Sequence, residues 1–69
     1  MRLSARNQIP AKVVAITHGD VIASIQMDAN GQRIVASITA EAVRELGIAE
    51  GSEVAAIIKA SDVMVAVAD

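Results

Sequence analysis

Apolar and polar residues alternate along much of this chain with the two-residue period of half-buried strands. Val13 to Thr17 is a run rich in β-branched residues that stops at His18-Gly19-Asp20, a turn signal. Val21, Ala23, Ile25 and Met27 then alternate with Ile22, Ser24 and Gln26, so the two runs predict a hairpin. Asp28-Ala29-Asn30-Gly31 predicts a second and tighter one, because Asn-Gly supplies the positive φ angles that short hairpins need. A third strand follows over Arg33 to Ile38, with Ile34, Ala36 and Ile38 on one face.

At Thr39 the period changes. Ala40, Val43 and Leu46 suit a helix of about two turns, with Thr39 as N-cap, Glu41 in the first turn and Gly47 at the C-terminal stop. Glu50-Gly51-Ser52 is a further turn, after which Val54 to Ile58 and Val63 to Val67 read as strands separated by Lys59-Ala60-Ser61-Asp62. Five short strands with one helix between the third and fourth predict a mainly β fold, a small OB-like Greek-key barrel. Residues 1–69 form a single domain in this reading, without repeat, low-complexity stretch or linker, and only residues 1–11 lack a clear period.

Composition sharpens the picture. At 69 residues the domain is near the lower limit for folding alone, and its apolar content of 54% includes 0% aromatic residues. A core without rings, disulfides or bound metal needs another stabiliser, so a homo-oligomer is expected. With no Cys and the single His18, neither a disulfide framework nor a cation site of Cys or His is available. The polar opening MRLSARNQIP is no signal peptide, and no run approaches the ~18 apolar residues of a membrane span, so a cytoplasmic protein without membrane contact is expected. A net charge of -2 is the wrong sign for a phosphate-neutralising surface and disfavours nucleic acid.

The chain offers no catalytic residue. Ser4, Ser24, Ser37, Ser52 and Ser61 sit in no elbow motif, no nucleophile–base pair is visible, and Gly19, Gly31, Gly47 and Gly51 are too scattered for a phosphate loop. Asp28, Glu41, Glu45, Glu50, Glu53 and Asp62 fall in turns, on helix faces or at strand edges, where carboxylates are ordinarily solvated. Two polar segments stand out, Ser4-Ala5-Arg6-Asn7-Gln8 before the first strand and Lys59-Ala60-Ser61 between the last two. Each joins a cation, a hydroxyl and free backbone, the equipment for a tetrahedral dianion, although solvated turns have the same composition. Thr39 adds a hydroxyl at the positive end of a helix dipole.

These segments carry a resemblance. SARNQIPAKVV at Ser4 to Val14, ITAEAVRELGIAEGSEV at Ile38 to Val54 and IIKASDVMVAV at Ile57 to Val67 resemble the stand-alone molbindin domain, of Mop/TOBE type, over essentially the whole chain. The resemblance implies a barrel that exchanges strands between subunits, assembles as a hexamer (a trimer of dimers), and binds molybdate or tungstate at subunit boundaries for intracellular molybdenum storage and homeostasis. It places the anion at Ser4, Ala5 and Arg6, at Thr39, and at Lys59, Ala60 and Ser61. A second class of anion site is implied at His18 and Gly19, where a solvated turn histidine is the competing reading. Two departures stand out: Ala11 where the family commonly has Gly, and Ala42 where a Ser often follows the Ile-Thr pair, which removes one hydroxyl from the set of ligands.

Two other functions compete. A small β-barrel that binds single-stranded nucleic acid would stack bases on aromatic side chains, and this chain has none. An anion-sensing regulatory domain would be fused to a transporter or DNA-binding partner, whereas Met1 lies three residues before the SARNQ segment, which favours storage by a free-standing domain.

Overall fold

A computed structural model describes residues 3–68. Strands β1 (Asn7–Thr17), β2 (Ile22–Ala29) and β3 (Gln32–Thr39) form an antiparallel meander, helix α1 (Ala40–Leu46) follows, and β4 (Glu53–Ile58) returns to pair with β1. The sheet order is β3-β2-β1-β4, a curled half-barrel of four strands.

The predicted fifth strand is not formed. Val63 to Val67 follows a short 3-10 turn at Ala60–Asp62 and pairs with nothing among the described residues. Met64, Val65 and Val67 stand 95%, 88% and 86% exposed. The segment has the composition of a strand, but strand propensity expresses itself only through cross-strand neighbours, and the segment lies against neither free edge of the sheet, β3 or β4.

β1 is longer than its β-branched run suggests. Ile9, Ala11 and Val13 turn toward the core while Gln8, Pro10 and Lys12 face outward, so an alternation runs through residues 7–13 that Pro10 disguises. Val13 donates its N–H to Ser52 and accepts from Gly51, which aims the backbone of odd-numbered positions at β4. Pro10, on the other parity, directs its missing N–H past the end of β2, whose pairing with β1 reaches only to Lys12 opposite Asp28, so no ladder bond is lost there.

Between Val13 and Ala15 the register with β2 slips by one residue, a bulge at Val14. The extra residue leaves Val14 half exposed and brings Ile16 rather than an odd-numbered neighbour to the core opposite Ile25. Bulges bend and twist the strand that carries them, and this one curls the sheet around Val13, Ala23, Ile25, Met27, Val43 and Ala56.

The turns follow their residues. Asn30 and Gly31 take φ of 52° and 91°, the pair of positive values that a two-residue hairpin between Ala29 and Gln32 requires. Thr39 caps α1 by accepting the Ala42 N–H at 3.0 Å, and Gly47 closes the helix in the left-handed region with its N–H on the Arg44 carbonyl. Val21, expected as the start of β2, is 71% exposed and lies one residue before it, where its carbonyl instead accepts the Ala40 N–H. At Gly19 a Cβ would collide with the Ile22 carbonyl oxygen, so the tightness of the β1–β2 connection demands glycine.

Two consequences are measurable by denaturant unfolding. Ile25, 3% exposed at the centre of the core, should cost about 2–5 kcal/mol when changed to Ala, whereas the exposed Gln32→Ala should stay within about 0.5 kcal/mol. Gly19→Ala should cost about 1–3 kcal/mol by forcing backbone apart, while the exposed His18→Ala next to it should leave stability nearly unchanged.

Candidate functional site

The β1–β4 ladder decides where the two cationic segments go. Its register runs from Lys12 opposite Glu53 to Asn7 opposite Ile58 without a slip. Carried one step past the last pair, the same offset sets Arg6 beside Lys59. Ser4-Ala5-Arg6 and Lys59-Ala60-Ser61, more than fifty residues apart in sequence, therefore leave the sheet side by side at one end.

That end carries like charges. Directly opposed residues of an antiparallel pair share a face, and two cations there repel each other unless an anion lies between them. Arg6 and Lys59 are both exposed, with Ala5 half-buried between Ser4 and Arg6. Lys59 has extended φ and ψ of -62° and 140°, and its carbonyl accepts the Asp62 N–H at 2.9 Å as the chain turns. The Ala60 carbonyl accepts from Val63, whereas the N–H groups of Ala60 and Ser61 meet no backbone acceptor among the described residues. The end of the ladder thus presents two cations, two hydroxyls (Ser4 and Ser61) and free N–H groups, all of them donors.

Asn7 was not singled out by the sequence. Its side-chain amide donates to the Ile58 carbonyl at 3.0 Å and ties the residue after Arg6 to the residue before Lys59. Its membership in a motif was visible, but its partner, 51 positions away, could be found only once the register was known.

Thr39 lies elsewhere. It pairs with Ile22 beyond the point where β1 ends at Thr17 opposite Ser24, so it shares the other end of the sheet with His18 and Gly19. The 11-residue β1 covers about 33 Å if straight, far more than the few ångströms between donors around one tetrahedral anion. Within one chain Thr39 therefore does not join Arg6 and Lys59 on a single ion. Its hydroxyl accepts the Ala42 N–H and keeps its own O–H free to donate, while Ala42 brings no hydroxyl of its own.

Two hollows complete the surface. One, of about 430 Å³, opens between β3 and β4 and is lined only by apolar residues, among them Ile34, Ala36, Ile38, Val54, Ala56 and Ile58. Without a donor side chain it is no seat for a dianion. The other, of about 420 Å³, lies beside Pro10, Ala11 and Lys12, but Asp28 and Glu53 set two carboxylates against the one ammonium there, the wrong sign for an anion. No helix among the described residues is long and apolar enough to cross a membrane.

Known proteins are similar to this chain over nearly its whole length. A probable molybdenum-pterin-binding protein of Haemophilus influenzae is 46% identical over 97% of this chain and 99% of its own length. Molybdenum-pterin-binding protein 1 of Clostridium pasteurianum is 42% identical over 94% and 97%. Among solved structures, a molybdate binding protein from Sporomusa ovata superposes with a TM-score of 0.93 at 39% identity, over 96% of this chain and 98% of that one. ModG, described as a cytoplasmic molybdate-binding protein and solved with molybdate bound, gives a TM-score of 0.88 at 42% identity, over 93% of this chain and 46% of its own. Residues 3–65 match the TOBE domain model, and with relatives of this identity spanning nearly the whole sequence, the chain belongs to the TOBE domain family.

Proposed function

We propose that this chain binds molybdate and tungstate at boundaries between subunits of a homo-hexamer, a trimer of dimers, and serves storage and homeostasis of molybdenum in the cytoplasm without catalysing a reaction. The observation that carries this reading is the pair of cations, Arg6 and Lys59, brought to one end of the β1–β4 ladder together with free hydroxyl and N–H donors. A relative of the same fold solved with molybdate bound supports the choice of ion.

Thr39 belongs to the ligand set in this reading only if a second copy presents it, because its own chain holds it at the far end of the sheet. The apolar hollow and the unpaired segment supply the means of assembly. Val63 to Val67 of one copy fills the gap between β3 and β4 of another as a fifth strand, which restores the OB-like barrel by exchange. Burying three valines of one face would contribute roughly 4–9 kcal/mol at about 1.5–3 kcal/mol each, comparable with the whole stability of a small domain. His18 and Gly19 form a second anion site in the same assembly, next to Thr39, although the steric need for Gly19 is also met by the turn alone.

Isothermal titration with molybdate, tungstate, sulfate and phosphate tests the ion. Molybdate and tungstate should bind and sulfate should bind far more weakly, since a rigid ring of donors separates ions of equal charge by size; equal affinity for molybdate and sulfate would defeat the assignment. Lys59→Ala should cost about 1.5–3 kcal/mol of binding, more than Thr39→Ala or Arg6→Ala, because a buried dianion needs its charge offset and Lys59 fills no core position. Parent-like binding by an intact Lys59→Ala assembly would move the site elsewhere.

Sedimentation tests the assembly. The full chain should run as a hexamer whose melting temperature rises with protein concentration, and a chain truncated after Asp62 should lose the hexamer. A stable folded monomer of the full chain at micromolar concentration would refute the exchange.

A further inference from the structure

We propose that Asn7 is a positioning residue of the oxyanion site, one that acts through Lys59 without touching the ion. The inference rests on the molybdate-binding reading above and adds a residue to it. The other side-chain hydrogen bonds of the described residues, from Gly31 to Asp28, from Ala42 to Thr39 and from Ala49 to Ser52, each close a local loop of three positions. The Asn7 bond alone spans the sheet's sequence separation, 51 positions, and it sits at the last pair of the β1–β4 ladder.

Its geometry explains what it controls. The peptide unit is planar, so the Ile58 carbonyl and the Lys59 N–H point in fixed and opposite directions. An amide that holds the carbonyl thereby fixes the Cα from which the Lys59 side chain departs. Asn7 is bonded directly to Arg6, so one half-buried side chain sets the separation of both cationic segments. Ladder ends fray first, and this is the end where fraying would scatter the donors.

A purely structural strand residue would weaken binding only by weakening the fold. A positioning residue leaves the fold intact and loses its effect once Lys59 is gone. The decisive experiment is therefore a double-mutant cycle on the assembled protein, with molybdate titration and melting temperature as readouts. Asn7→Ala should weaken molybdate binding about three- to tenfold with hexamer and melting temperature retained, the range expected for one neutral hydrogen bond. Asn7→Asp should weaken it further, since an ionised carboxylate cannot donate and adds negative charge beside the anion. In a Lys59→Ala background, Asn7→Ala should cost less than about twofold.

Amide hydrogen exchange of the anion-free protein gives a readout independent of the ligand. Asn7→Ala should speed exchange at Ile58, in the last pair of the ladder, and at Asp62, whose N–H is held by the Lys59 carbonyl, and leave the core amides of Val13 and Ile25 unchanged. Should the alanine variant fail to assemble, Asn7→Val keeps strand propensity without a donor and reads the same quantities. Additive losses in the cycle, or unchanged exchange at Ile58 and Asp62, would overturn the proposal. If the parent itself binds no molybdate, the functional reading falls, and the exchange experiment still decides whether Asn7 holds the Lys59 segment.

Discussion

A sheet of four short strands cannot wrap far enough to meet itself, and the gap this leaves between β3 and β4 conditions everything around it. The residues that line the gap are apolar on both sides, so the chain presents to water a surface with the composition of an interior. Ile34, Ala36 and Ile38 remain only half-buried for this reason, although they face the same core as the fully buried Ile25 and Met27. The small helix covers one end of the curl through Ala40 and Val43 and leaves the rest of the opening uncovered.

The same incompleteness bears on chemistry. Antiparallel pairing of β1 and β4 gathers Arg6 and Lys59 from opposite ends of the sequence, because the first and last strands along the chain are neighbours in the sheet. The register of the meander sets Thr39 at the far end of β1 from them, so the donors fall into two groups at opposite ends of one molecule. A site that draws on both groups is a property of an arrangement of chains, which links the ion to the state of assembly through simple mass action.

How much of this was legible in the sequence varied with the range of the interaction. The Asn30-Gly31 hairpin, the Thr39 cap and the Gly47 stop are set by one or two residues acting on their own backbone, and each was readable. The start of β1 was missed because Pro10 reads as an interruption until it is known that β2 ends before reaching it. Val63 to Val67 was read as a strand from a pattern it does possess, yet pairing depends on a neighbour that the pattern does not name. The cationic segments were legible as chemistry, while their adjacency, the separation of Thr39 and the role of Asn7 all required the register.

The bulge at Val14 gives β1 two phases. Ahead of it odd-numbered residues face inward, and behind it Ile16 does, so the strand behaves as two rulers joined with an offset of one mark. Gaining or losing a residue between Asn7 and Val13 would turn that whole half over, sending Ile9 and Ala11 to solvent and shifting Arg6 out of step with Lys59. The hairpin half, Ala15 to Thr17 with β2, would keep its own phase. Length variation along this strand is thus forbidden on the Arg6 side, and it can be absorbed only at the bulge itself, where one residue is already out of step with its partner strand.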